Sequence, residues 1–226
     1  MSSDLDFSTV IASAVHDMKN SLGMLLHSVE EVSDAIPEET RTSSAFTTLQ
    51  YEAQRLHGDL IQLLGIYKME QQTLSARVDE HFVPDFLDEQ YARHKPLLEG
   101  LGIEMAVDAE PVTGYFDDNL VAGVLTNIIN NAIRYTKNTL RLAAREEDGY
   151  LVIAVEDDGG GYPAHMINAP EQFSREGVDF SSGSTHLGLY FAHRIAGMHQ
   201  EGERTGLIQL SNAEQSGGGV FELHLP

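Results

Sequence analysis

The chain has 226 residues, 35 of them acidic against 14 basic, a formal net charge of −21 and no cysteine. That length suits one domain of ordinary size and a smaller one, with a core that folds without covalent staples. Disulfides and thiolate metal sites are excluded, and so negative a surface repels nucleic acid and anionic membrane, leaving neither as an expected partner.

No apolar run is long enough to span a bilayer, and residues 1–15 lack the basic start and apolar block of a secretory signal. A cytoplasmic protein is expected. Any signal must then come from a separate protein or act directly on this chain.

Along residues 7–33, Phe7, Ile11, Ala14, Met18, Leu22, Leu25, Val29 and Val32 recur in steps of three and four. That spacing predicts a helix with one buried stripe. Asp34, Pro37 and the polar run to Ser44 break it. Phe46, Leu49, Ala53, Leu56, Leu60, Leu64 and Tyr67 predict a second helix and hence an αα-hairpin. One hairpin buries only part of each stripe. Two copies would complete a four-helix bundle, so a homodimer is expected.

The texture changes near residue 80. Phe86–Leu98 predicts a helix ended by the Gly100–Gly102 region, and Ile103–Val107 alternates as a strand. Asp117–Tyr135 predicts a long helix with Asp117 or Asp118 as its cap. Thr139–Arg145 and Tyr150–Glu156 predict strands around a Glu147-Asp148-Gly149 turn. Residues 158–186 are rich in glycine and serine, Leu187–Met198 is helical, and Leu207–Leu210 and Val220–Leu225 close as strands. The fold class is therefore α+β: a helical hairpin over residues 1–75, then an α/β sandwich over 76–226 with helices on one face of a mixed sheet.

His16 falls between the stripe positions Ala14 and Met18, so it faces solvent. Asp17 follows it, Asn20 lies one turn on along the same face, and Lys19 adds a positive charge. A carboxylate beside an imidazole can hold one ring nitrogen protonated and leave the other nucleophilic, which suits phosphoryl transfer. The plainer reading is one of ten histidines on a polar helix face. The segment His16-Asp17-Met18-Lys19-Asn20-Ser21-Leu22 resembles the H-box of sensor histidine kinases. The resemblance implies that His16 is the phosphoacceptor, Asp17 its general base and Asn20 a support for phosphatase activity. Ser21 stands where that family commonly has proline.

Three later segments carry nucleotide chemistry. Asn127 and Asn131, four apart, share a helix face and can reach phosphate oxygens and a metal's ligand shell. Arg134 adds a fixed charge for phosphate, and Tyr135 offers a flat face to a purine. In Val155–Tyr162 a strand-end carboxylate can accept from an adenine amino group, while glycines let backbone approach a ligand. Gly183–Leu189 opens a helix with small residues whose N–H groups suit phosphate, without a Walker or dinucleotide pattern. Taken singly, these are also a helix cap, a turn and a loop.

In this order the three segments resemble the Bergerat-type ATPase domain shared by histidine kinases, gyrase B subunits and MutL. The resemblance implies ATP and Mg²⁺ as ligands. Asn131 would be the Mg²⁺ ligand, and Asn127 would lie near the phosphates. Asp157 would bind adenine, and Gly159 and Gly161 would form the first glycine box. Ser184, Thr185, Leu187 and Gly188 would form the second. Residues 162–186 would be the ATP lid, with Phe173 its aromatic anchor. His186 stands where kinases have glycine. The function implied is a histidine kinase that autophosphorylates His16 and passes the phosphoryl group to an aspartate of a response-regulator receiver domain. The alternative is a histidine phosphotransfer adaptor whose ATPase domain has decayed.

Overall fold

The computed structural model describes residues 7–41, 43–168, 187–214 and 216–226. The chain divides into two compact units, Met1–Leu74 and Ser75–Pro226.

The first unit is an αα-hairpin of α1 (Phe7–Ala35) and α3 (Ser44–Glu70), packed together and joined through the single turn α2 (Glu38–Arg41). Ser43 caps α3, its hydroxyl accepting from the Phe46 N–H. The single stripe expected on each helix resolves into two. Val15 and Val29 of α1 and Phe46 and Ala53 of α3 are buried within the hairpin. Met18, Leu25 and Val32, seven apart, are 55, 46 and 48 % exposed, and Leu49, Leu56 and Leu63, also seven apart, are 50, 47 and 41 % exposed. Steps of three and four had merged an inner seam with an outer one, because a helix carrying two adjacent seams has apolar residues at both sets of positions.

In the second unit a five-stranded mixed sheet has the order β2-β4-β5-β9-β8. Its strands are β2 (Glu104–Ala109), β4 (Thr139–Glu147), β5 (Tyr150–Asp157), β8 (Leu207–Asn212) and β9 (Gly219–Leu225). Only β2 and β4 run parallel; the other neighbours are antiparallel. Asp148 and Gly149, with φ of +52° and +75°, make the two-residue turn between β4 and β5. Positive φ at both positions matches the twist of the flanking strands.

Three helices cover one sheet face: α4 (Val83–Leu101), α5 (Asp118–Ile133) and α7 (Leu187–Ala196). Leu87 and Leu98 of α4, Leu125 and Ile129 of α5 and Ile195 of α7 are buried with Leu140, Leu142, Ile153, Phe221, Leu223 and Leu225 of the sheet. The opposite face carries ion pairs, all but Arg145–Glu147 running between strands. Arg141 bridges Asp108 and Glu156, and Arg145 bridges Glu147 and Glu222.

Short pieces complete the unit: β1 (Asp79–Phe82) pairs with β3 (Thr113–Phe116), β6 (Gln200–Glu201) pairs with β7 (Arg204–Thr205), and α6 (Ala164–Ile167) is one turn. None of these was expected, since two to four residues carry too little periodicity to register. Among the described residues, no helix is long and apolar enough to cross a membrane.

Candidate functional site

On α1, the His16 side chain is 58 % exposed and Asp17 78 %. The Asp17 carboxylate lies 3.7 Å from His16 Nδ1, and the Asn20 amide nitrogen lies 3.4 Å from the same Nδ1. The Asn20 amide nitrogen can donate only to an unprotonated Nδ1 and the Asp17 carboxylate can accept only from a protonated one, so the two contacts belong to different tautomers; the one with its proton toward Asp17 leaves Nε2 for an incoming electrophile. An imidazole whose Nδ1 is held by a carboxylate can attack through Nε2 and carry the resulting charge.

In the second unit, α5 is anchored at its start. Asp117 is the N-cap, its Oδ1 accepting from Leu120 N–H at 2.9 Å and its Oδ2 from Arg77 N–H at 2.7 Å. The Asp117 N–H donates to Nε2 of the buried His199 at 3.0 Å. His199 is therefore part of the frame of α5, where the sequence marks it only as a packing or surface residue. Farther along α5, the Asn131 amide donates to Asn127 Oδ1 at 3.1 Å. That bond uses the Asn131 nitrogen and leaves its Oδ1 as the hard donor.

The start of α7 closes on this polar face. A Cβ built on Gly188 would lie 2.3 Å from Asn127 Nδ2, so only glycine lets α7 sit there. At the end of α5, Arg134 and Tyr135 are exposed and the guanidinium lies 5.8 Å from the Tyr135 ring centre.

Asp157 ends β5, and its Oδ1 accepts from Gly159 N–H at 2.7 Å. Glycines surround it. A Cβ on Gly159 would lie 2.2 Å from the Tyr135 carbonyl oxygen and 2.8 Å from Asp157 Oδ1, and one on Gly219 would lie 2.7 Å from Asp157 Oδ2. Gly161 takes φ +74°, a conformation that favours glycine. The backbone thus forms a cradle around one carboxylate, with Tyr135 brought to its side. Asp158 braces the cradle from behind, accepting from Lys137 and Asn138 N–H at 2.8 and 3.0 Å. Burial alone would raise its pKa, but the N–H groups of Asn138, Lys137 and Thr139 and the Asn138 amide outweigh this and lower it to about 2.

The carboxylate cradle has the chemistry of a site for a heterocycle with an exocyclic amino group. The Asn127–Asn131 face and the start of α7 have that of a phosphate site. No group of three or more His, Cys, Asp or Glu among the described residues could cage a metal ion. A divalent cation here would rest on phosphate oxygens with one amide oxygen from Asn131.

The structure thus gathers the expected residues into three groups. His16, Asp17 and Asn20 lie together on the hairpin. Asn127, Asn131, Leu187 and Gly188 meet where α5 faces the start of α7. Tyr135, Asp157, Gly159 and Gly161 line the cradle, and Arg134 lies over the Tyr135 ring at the end of α5. Ser184, Thr185, His186 and Phe173 lie outside the described residues. The sequence does not mark Asp158 as a brace, Tyr162 as a half-buried neighbour of Asp157, or Asn212. Only the glycines next to Asp158 and Tyr162 gave a signal.

Residues 116–226 match the family described as histidine kinase-, DNA gyrase B-, and HSP90-like ATPase. The sensor protein SrrB of Staphylococcus aureus is 25 % identical over 198 residues, covering 84 % of this chain and 34 % of SrrB. The chain therefore spans about a third of the length of the curated relatives it matches. The histidine kinase AdeS of Acinetobacter baumannii superposes with a TM-score of 0.59 at 18 % identity, over 93 % of this chain and 96 % of AdeS. Full-length ShkA in complex with AMPPNP gives a TM-score of 0.66 at 19 % identity, over 96 % of this chain and 45 % of ShkA. At these identities the two structures speak to the fold alone.

Proposed function

Because residues 116–226 belong to the histidine kinase-, DNA gyrase B- and HSP90-like ATPases and the chain has the make-up of a two-component histidine kinase catalytic core, we propose that it transfers the γ-phosphoryl group of ATP to His16 and then to an aspartate of a response-regulator receiver domain. Residues 1–75 are assigned dimerisation and phosphotransfer, and residues 76–226 nucleotide binding.

The base of ATP enters the glycine cradle, where Asp157 accepts from the adenine amino group and Tyr135 lies against the ring. Asn127, Arg134, the start of α7 at Leu187 and Gly188, and Ser184 and Thr185 ahead of it in sequence take the phosphates. Asn131 and phosphate oxygens would hold Mg²⁺, which would supply charge neutralisation. His16 Nε2 attacks the γ-phosphorus, the bond to the bridging oxygen of ADP breaks, and phosphohistidine forms. Asp17 holds the Nδ1 proton of the ring throughout, which stabilises the imidazolium character that develops. Positioning and charge account for the catalysis, as expected for a loose phosphoryl-transfer transition state. Asn20 then orients water when the regulator is dephosphorylated.

Two features support the accompanying assignments. The outer seams Met18–Leu25–Val32 and Leu49–Leu56–Leu63 are an apolar surface of the kind a second hairpin covers, so the active species is a homodimer. A chain using ATP and a receiver domain works in the cytoplasm, and a separate sensor protein can supply its signal.

The observation that carries this reading is the glycine cradle around Asp157 beside Tyr135. Titration calorimetry of ATP·Mg²⁺ against the chain tests it. Binding to wild type that weakens at least about tenfold in Asp157→Ala is expected, the loss of one buried charge-assisted hydrogen bond. Wild type that fails to bind ATP would overturn it.

A further inference from the structure

Asn212 lies outside all three nucleotide-binding segments, as the last residue of β8. Its side-chain amide nevertheless pairs with the backbone of Tyr162, fifty residues earlier. Oδ1 accepts from Tyr162 N–H at 2.6 Å, and Nδ2 donates to the Tyr162 carbonyl at 3.0 Å. One amide thus satisfies both backbone groups of a single residue, as a neighbouring strand would. Around this pair the chain is tightly closed. A Cβ on Gly161 would lie 2.5 Å from the Gly217 carbonyl oxygen and 2.7 Å from Asn212 Oδ1, and one on Gly218 would lie 1.8 Å from the Asp157 carbonyl oxygen.

The residue so held is the aromatic neighbour of Asp157. A Cβ on Gly219 would lie 2.7 Å from Asp157 Oδ2 and 3.0 Å from Tyr162 Cε2, so carboxylate and ring flank the same point of β9. Burial, then the charges of Asp157 and Tyr135, push the Tyr162 phenol above its ordinary range.

We infer that Asn212 is a positioning residue for base selection: by clamping Tyr162 it fixes the wall beside Asp157 and so sets the preference for adenine over guanine. The inference rests on the nucleotide-site reading above. An adenine amino group donates to the Asp157 carboxylate. Guanine presents a carbonyl oxygen at the same place, and two acceptors repel. That discrimination is strong only while the carboxylate and its wall cannot yield. A segment free to shift by a few tenths of an ångström would let guanine turn and find a donor contact.

The test is the ratio of dissociation constants for GTP·Mg²⁺ and ATP·Mg²⁺ on the full chain, in wild type, Asn212→Ala and Asn212→Asp. The isosteric Asn212→Asp keeps the acceptor for Tyr162 N–H and sets an oxygen against the Tyr162 carbonyl. Its added charge acts alike on the triphosphates of both nucleotides, and that part cancels in the ratio. It therefore decides the matter even if Asn212→Ala does not fold. The expected result is a wild-type preference for ATP that falls about tenfold in either variant, chiefly through tighter GTP binding. An unchanged ratio in Asn212→Asp, with wild type still preferring ATP, would overturn the role of Asn212 alone. Wild type that binds neither nucleotide would overturn the nucleotide site and this inference together.

Discussion

Lys137, Asn138 and Thr139 all donate backbone N–H groups to the Asp158 carboxylate, tying the start of β4 to the glycine-rich turn that follows β5. Asp158→Ala removes that acceptor, and a loss of about 1–2 kcal/mol in unfolding free energy is expected from chemical denaturation. The pH dependence has a definite sign. The folded-state pKa lies below its usual value, at about 2, so the stabilisation is present above the ordinary carboxylate range and is lost as pH falls through about 2. The stability gap between wild type and Asp158→Asn should be constant near neutrality and close between about pH 4 and pH 2. Gly188 makes a second case. A methyl group there meets the Asn127 amide, so Gly188→Ala should displace α7 from α5 and weaken ATP binding about tenfold in the same calorimetric titration, with an overpacking cost of about 1–3 kcal/mol. These residues were legible to different degrees. A glycine at a helix start carries a signal of its own. Asn212 is an ordinary polar residue at a strand end, and nothing local shows that its amide reaches a segment fifty positions away.

At the level of elements, helices with long periods were read well and short strands were not. α1, α3 and α5 follow from apolar spacing, and Asp117 from its position ahead of α5. β1 and β3 have four residues each and are stabilised by a non-local neighbour, Phe116 packing edge-on to Phe86. The hairpin shows a subtler failure: most of its apolar positions were found, but Val15 and Leu63 were not, nor was the division between two seams. Seven-residue spacing separates the seams, while counting threes and fours blends them. The outer seam has a measurable consequence. Leu25→Glu together with Leu56→Glu places four charges in a two-fold interface, and burial of each leucine is worth about 2 kcal/mol. Sedimentation equilibrium should show wild type as a dimer and the double variant as a monomer at micromolar concentration. A variant that stays dimeric would place the interface elsewhere.

Across the whole molecule, a net charge of −21 opposes an anionic ligand, yet the site collects N–H groups, amides and Arg134 rather than a basic patch. Long-range repulsion and local attraction separate experimentally, because salt screens the first more than the second. The association rate for ATP·Mg²⁺ in stopped-flow measurements should therefore rise as ionic strength goes from low to physiological values. A basic groove would give a falling rate. The segments proposed to bind nucleotide stand out in the sequence because of their unusual local composition, glycines next to a carboxylate or paired asparagines on one face. The residues that hold those segments in place, His199 behind Asp117 and Asn212 behind Tyr162, do not, because contacts made across 82 and 50 positions leave no local trace.

The central claim is that His16 accepts phosphate from ATP. It is tested most directly by incubating the purified chain with γ-labelled ATP and Mg²⁺ and treating the product with acid and alkali. The account predicts a label on wild type that survives alkali and is lost in acid, and that is absent from His16→Gln while ATP binding by that variant is unchanged. Label retained on His16→Gln would contradict it.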